Sequence, residues 1–177
     1  PLLYYAAKKH NSKSGIMVTG SHNPKEYNGI KMIINDEPVS GKEIFELIGT
    51  PNNASSKGTF TVNEDVINNY IEEVKSKSIQ SKYEIKVVID CGNGAAGVIA
   101  PKLFKALGFN VVEIFSEIDG NFPNHHPDPG RPENLKDLSD KVLSEKANIG
   151  LAFDGDGDRL GVVDNKGKII PQDKFLM

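Results

Sequence analysis

Apolar residues at Leu2, Leu3, Ala6 and Ala7 fall on one helical face, so the chain opens in a helix. Residues 15–19 then read as a strand, the polar run from Gly20 to Pro24 as a break, and residues 30–35 as a second strand, so that a short strand pair presents a loop. A helix is expected over 42–48. The stretch 49–58, rich in Pro, Asn, Ser and Gly, reads as surface loop. Thr61 with Glu64 forms a capping-box pattern, and Val66, Ile67, Tyr70, Ile71 and Val74 share one face of a helix running to about Lys77.

From Tyr83 the period changes. Residues 85–89 make a strand, 95–107 a helix ended by Gly108, and 111–115 another strand. A long Pro-rich loop covers 119–132, Leu135, Leu138, Val142 and Leu143 mark a third helix, and 149–153 a further strand. Strand alternating with helix argues for an α/β fold, with mixed or parallel sheets sandwiched by helices. The polar stretch 76–82 is the expected boundary, giving domains at 1–78 and 79–177. The chain starts without methionine inside apolar helical spacing, and Asp173 to Met177 reads as the first turn of a helix, so a fragment is expected.

Composition narrows the class. The 177 residues are 25% charged and 38% hydrophobic, the profile of a globular chain and not a disordered one. No apolar run approaches the ~18 to 20 residues of a membrane span. Lys and Arg total 21 against 24 acids, so no basic excess points to nucleic acid or an anionic membrane, and neither is expected as a partner. One cysteine, Cys91, forms no internal disulfide, and with no leader pattern the chain reads as cytoplasmic. The sequon Asn53-Ala54-Ser55 is then idle, Cys91 a buried filler, and Lys8-Lys9-His10 a solvated helix end.

Asp154-Gly155-Asp156-Gly157-Asp158-Arg159 directly follows the last predicted strand, at the carboxyl edge where open α/β sheets bind ligands. Kept extended, carboxylates at i, i+2 and i+4 would span ~13 Å, too far to share one ion. The glycines let the backbone curl. Three carboxylates brought within ~5 Å repel by about 3 kcal/mol per pair at an effective dielectric near 20, so a cation is needed. Three hard oxygens with sites left for water or phosphate suit Mg²⁺. Two other readings compete: Asp-Gly repeats also make hairpin turns, and an EF-hand would place Gly sixth and Glu twelfth, where Arg159 and Asn165 stand. Arg159 is either a counter-ion for the acids or a clamp on a substrate phosphate.

Thr19-Gly20-Ser21-His22-Asn23-Pro24 places a hydroxyl, an imidazole and an amide in a turn after a strand. Ser21 is either a turn hydroxyl or a nucleophile, and Gly-x-Ser-x-Gly is not matched. Together with Tyr27-Asn28-Gly29-Ile30-Lys31, the acidic loop and the stretch from Asp119 to Pro129, this resembles the α-D-phosphohexomutase family, in its phosphomannomutase/phosphoglucomutase branch. The resemblance runs end to end. It implies two consecutive phosphohexomutase-type domains, the first truncated, and a phosphoryl group carried on Ser21. It implies Mg²⁺ held by Asp154, Asp156 and Asp158 with a phosphoserine oxygen of Ser21. His22 and Lys31 are implied near the transferring group, Lys31 as general acid/base, with Arg159 stabilising phosphoryl charge and Asn23 contacting substrate. The implied reaction interconverts hexose 1-phosphate and 6-phosphate, of mannose or glucose, through a hexose 1,6-bisphosphate that is intermediate and activator. Since members of the family have four domains, the fragment alone is expected not to be fully active without the remaining ones.

Other readings stand beside this one. Gly92-Asn93-Gly94-Ala95-Ala96-Gly97 matches Gly-x-Gly-x-x-Gly between a strand and a helix, a dinucleotide signature, but Pro101 interrupts the helix and Glu113 and Glu117 are poorly placed ribose ligands. The resemblance makes it a packing turn. His125 and His126, being adjacent, project differently, which disfavours a metal pair. A noncatalytic Mg²⁺ or sugar-phosphate binding module, and a phosphatase with an acyl-phosphate carboxylate, are the remaining classes.

Overall fold

A computed structural model describes residues 1–49, 58–79 and 81–175. The sequon at Asn53 and most of the expected 49–58 loop lie outside the described residues. Contacts divide the chain into two units, one of Pro1–Val18 with Ile30–Tyr70, the other of Thr19–Gly29 with the chain from Ile71 onward. The serine loop thus groups with the later part of the sequence.

In the first unit, α1 (Leu2–Lys9) precedes an antiparallel sheet of β1 (Gly15–Val18), β2 (Ile30–Ile34) and β3 (Glu37–Val39). Helix and strand lie close because position 15 is glycine: a β-carbon there would meet Leu3 Cδ1 at 2.8 Å. Asn35 and Asp36, both at positive φ, turn β2 into β3, the left-handed pair that two-residue hairpins require. In α2 (Gly41–Leu47) Ser40 and Glu43 form a reciprocal capping box. The expected capping pattern at Thr61 and Glu64 does not cap a helix: Asn63 Oδ1 accepts the Asp65 N–H at 3.0 Å, and α3 (Val66–Lys77) begins after that turn.

The second unit holds a five-stranded sheet in the order β5-β4-β6-β7-β8, from β4 (Lys86–Asp90), β5 (Asn110–Ile114), β6 (Ile149–Phe153), β7 (Leu160–Asp164) and β8 (Ile169–Ile170). β5, β4 and β6 run parallel, while β7 and β8 add antiparallel, so the sheet is mixed. Alternation along β4 sends Val87 and Ile89 into one core and Val88 into the other, each with at most 1% exposure. α4 (Ala100–Ala106) covers the first core through Ala100 and Phe104, and α5 (Lys136–Glu145) covers the second through Leu138 and Val142. The sheet is sandwiched by helices, as expected.

The expected single helix over 95–107 is two pieces. A 3₁₀ turn, Ala95–Val98, gives way at Ile99 to α4, because Pro101 has no N–H to continue the earlier turn and fits only the first turn of a new helix. Among the described residues no helix is long and apolar enough to cross a membrane.

Candidate functional site

The acidic loop is the connection between β6 and β7, with Phe153 paired to Leu160 across it. Gly157 takes φ +72, bending the loop back. Asp154, Asp156 and Asp158 each offer an oxygen, all within 4.8 Å of one another. Asp154 is fully buried and Asp156 nearly so, whereas Asp158 is exposed. Asp154 Oδ1 accepts the N–H groups of Asp158 at 2.9 Å and Arg159 at 3.0 Å, which fixes its carboxylate within its own loop.

Thr19 and Ser21 come to the same place. Thr19 Oγ1 donates to Asp156 Oδ2 at 3.0 Å and accepts the Ser21 N–H at 2.8 Å. Ser21 itself is at φ +53, a left-handed conformation that a β-carbon disfavours by about 1 kcal/mol. Its Oγ lies 3.3 Å from Asp154 Oδ2, 3.4 Å from Asp156 Oδ1 and 3.3 Å from His22 Nδ1. A hydroxyl has one proton to give. Two carboxylate oxygens therefore converge on a single O–H, and the all-oxygen set of ligands, gathered with the three loop carboxylates, suits Mg²⁺ chemically.

Arg159 borders this cluster. Its Nε donates to Asp154 Oδ2 at 3.1 Å and its Nη1 faces Asp128 Oδ1 at 3.5 Å. Nη2 is buried without a hydrogen-bond partner among the described residues, which costs roughly 1–3 kcal/mol unless a ligand accepts from it. Both sequence readings of Arg159 are thus compatible with its contacts: two nitrogens face acids and one is left over.

Ser21, His22, Asp154, Asp156, Asp158 and Arg159 are brought together within the second unit. Asn23 contributes its backbone N–H to the Gly20 carbonyl at 2.9 Å, closing the turn. Lys31 stands on β2 of the first unit, paired with Met17. Sequence reasoning missed Thr19 and Asp128. Thr19 carried a weak local signal, a hydroxyl two residues before a turn N–H; Asp128 carried none, since its partner is 31 positions away.

The competing motifs fall into place. Gly92 takes φ +52, a β-carbon on Gly94 would meet the Gly155 carbonyl oxygen at 2.7 Å, and one on Gly97 would overlap the Ser116 carbonyl. These glycines press the turn after β4 against neighbouring loops, the acidic one included. The two histidines diverge, His125 toward Asp90 and His126 toward the His22 carbonyl. Cys91 is fully buried and its thiol is pushed up to about 11, chiefly by that burial.

Comparison with known proteins identifies the lineage of this arrangement. The family model for phosphoglucomutase/phosphomannomutase alpha/beta/alpha domain II matches residues 68–167, and that for alpha/beta/alpha domain I matches 1–56. The whole chain aligns at 51% identity with 38% of a phosphomannomutase/phosphoglucomutase from Pseudomonas syringae pv. tomato. It aligns at 46% with 39% of a phosphoglucomutase from Neisseria gonorrhoeae, so the chain spans less than two fifths of these relatives. A crystal structure of a phosphoglucomutase/phosphomannomutase family protein from Burkholderia thailandensis superposes with a TM-score of 0.75 at 47% identity, over 89% of this chain and 34% of that one. With the domain II model covering more than half of its residues, the chain belongs to the phosphoglucomutase/phosphomannomutase family.

Proposed function

We propose that this chain carries the phosphoserine loop and the metal loop of a phosphohexomutase, with 1–78 the C-terminal part of domain I and 79–177 domain II. The observation that carries the reading is the placement of Ser21 Oγ at 3.3 and 3.4 Å from two of the three loop aspartates, beside an arginine with one buried nitrogen that has no hydrogen-bond partner among the described residues.

In this reading Ser21 holds the phosphoryl group and passes it to the free hydroxyl of a mannose or glucose phosphate. The bisphosphate formed reorients and returns its other phosphate to Ser21, so that 1-phosphate and 6-phosphate interconvert. Asp154, Asp156 and Asp158 would hold Mg²⁺ with an oxygen on Ser21, and the ion would supply charge neutralisation for the phosphoryl oxygens. Arg159 Nη2 donates to a phosphoryl oxygen while Nε and Nη1 stay on Asp154 and Asp128, so the guanidinium is oriented before substrate arrives. Asp154, tied down by two backbone N–H groups, holds the Ser21 hydroxyl in place for in-line attack. His22 Nδ1 accepts the hydroxyl proton of Ser21 or returns it, and Lys31 acts as general acid/base on the sugar hydroxyl. Asn23 contacts the substrate. Turnover needs the rest of the relatives' length, so the isolated chain takes up phosphate without efficient mutase cycling.

The test is incubation with a hexose 1,6-bisphosphate and Mg²⁺, then intact-mass measurement and phosphosite mapping. One acid-stable phosphate on Ser21, lost in Ser21→Ala, is the expected result. Acid-labile phosphate on a loop aspartate would favour the phosphatase class instead, and no labelling would favour a noncatalytic binding module.

A further inference from the structure

The stretch from His125 to Asp128 borders the serine loop, and the reaction as described gives its histidines no task. His126 Nε2 hydrogen-bonds the backbone carbonyl of His22. A carbonyl only accepts, so this nitrogen carries the proton and the partner fixes its role.

What holds His126 is independent of the serine loop. The adjacent His125 places Nδ1 3.0 Å from the His126 carbonyl and Nε2 2.9 Å from Asp90 Oδ2, while Asp90 Oδ1 already accepts the Gly92 N–H at 2.8 Å. Oxygens face both His125 nitrogens, so the imidazolium donates to each. Pro127 is fully buried, a β-carbon on Gly92 would meet its Cβ at 3.1 Å and one on Gly155 its Cγ at 3.6 Å, and Asp128 accepts the Gly130 N–H at 3.1 Å. The stretch is a fixed post.

The serine loop is less secure by itself. Residues 23–28 are exposed, Ser21 is left-handed, and the loop's own backbone bonds are Thr19 N–H to Gly29 at 2.9 Å, Asn23 to Gly20 at 2.9 Å and Tyr27 to Pro24 at 2.9 Å. Such a segment opens locally at small cost. Beyond the Thr19 and Ser21 side-chain contacts with the acidic loop, a further tie, Lys25 Nζ to Asn121 Oδ1 at 3.4 Å, is exposed.

We propose that His126 is a positioning residue for phosphoryl transfer, holding the His22–Asn23 peptide of the serine loop so that the Ser21 hydroxyl stays on the acidic loop. This rests on the reading of Ser21 as phosphate carrier. The role calls for an N–H donor at the position of Nε2, which glutamine supplies and alanine does not.

The test compares the chain with His126→Ala and His126→Gln by amide hydrogen exchange at Asn23 and Tyr27, and by the rate of Ser21 phosphorylation from glucose 1,6-bisphosphate. In His126→Ala we expect exchange at least threefold faster and a saturating labelling rate at least tenfold lower, with the half-saturating concentration unchanged; His126→Gln recovers both. Wild-type exchange or wild-type labelling in His126→Ala overturns the role, as does a Gln variant no better than Ala. Should His126→Ala fail to fold, His126→Asn, whose donor is one methylene shorter, takes its place with the same outcomes. If the unsubstituted chain takes no phosphate, the phosphoserine reading falls, and the exchange results alone decide whether His126 holds the loop.

Discussion

Gly155→Ala isolates the backbone contact between the serine and acidic loops. A β-carbon at Gly155 would overlap the Ser21 carbonyl oxygen, with the Ser21 carbonyl carbon at 3.2 Å and Pro127 Cγ at 3.6 Å. Gly155 is not among the positive-φ glycines, so its backbone accepts alanine and the penalty is steric. The obstacle is main chain, not the tip of a flexible side chain, so the loops must separate. Overpacking of this kind costs about 1–3 kcal/mol, and losing the one hydrogen bond that the Ser21 hydroxyl donates to the acidic loop adds about 1 kcal/mol. Gly157→Ala is the matched control: its φ of +72 imposes conformational strain of about 1 kcal/mol, but its β-carbon meets nothing nearer than Ala96 Cβ at 3.4 Å. Urea unfolding followed by circular dichroism, with Ser21 labelling in parallel, separates the two. We expect a loss of about 2–4 kcal/mol and more than tenfold slower labelling in Gly155→Ala, against about 1 kcal/mol and labelling within about threefold in Gly157→Ala. Equal behaviour of the two variants in both measurements would refute the reasoning.

Three further outcomes are expected. Mg²⁺ raises the melting temperature, by an increment equivalent to ~2.7 kcal/mol at a hundred times its dissociation constant, and Asp154→Asn removes the increment; an unchanged increment in that variant would move the ion elsewhere. Arg159→Lys slows Ser21 labelling about 10–100-fold, the loss of one charge-assisted hydrogen bond of about 1.5–3 kcal/mol, and a rate within twofold of the original would make Arg159 a mere counter-ion. Burial opposes charge on His125, but the hydrogen bond and charge of Asp90, with the His126 carbonyl and the charge of Asp137, outweigh it and hold its pKa above the ordinary value. Its stabilising contribution is therefore complete below about pH 6.5 and fades as pH rises through the higher folded value. Unfolding free energies from pH 5 to 9 should show His125→Gln most damaging at the acid end, and a pH-independent difference would contradict this.

What could be read along the chain was whatever the local pattern determines. The strands at Lys86–Asp90 and Ile149–Phe153 are buried apolar runs, and the α5 stripe of Leu138 and Val142 has helical spacing. β3 is three residues with one proline and passes as loop, and β7 follows the acidic loop so closely that the chemistry of that loop masked it. Without β7 the sheet reads as parallel; with it the aspartates sit in a hairpin connection. The Thr61 pattern misled because the turn closed by Asn63 Oδ1 on the Asp65 N–H delays the helix to Val66, whereas the capping box that does form, at Ser40, lies where the periodicity is too short to advertise it. In the site, the acids and Ser21 were legible from spacing and resemblance. Asp128 was not, because its partner lies 31 positions away, and Thr19 showed only its local bond to the Ser21 N–H, its tie to Asp156 spanning 137 positions.

The pairing of Phe153 with Leu160 has a further consequence. Both ends of the hexapeptide between them are anchored in the ladder, and the Asp154 N–H reaches back to the Arg159 carbonyl at 3.3 Å. Inserting one residue would leave the strands free to keep their partners but would put the aspartate-glycine alternation out of phase, turning one carboxylate outward and one β-carbon inward. The number of residues in this link is thus as much a requirement as their identity, and a deletion or insertion here should be more damaging than a conservative replacement of any single aspartate.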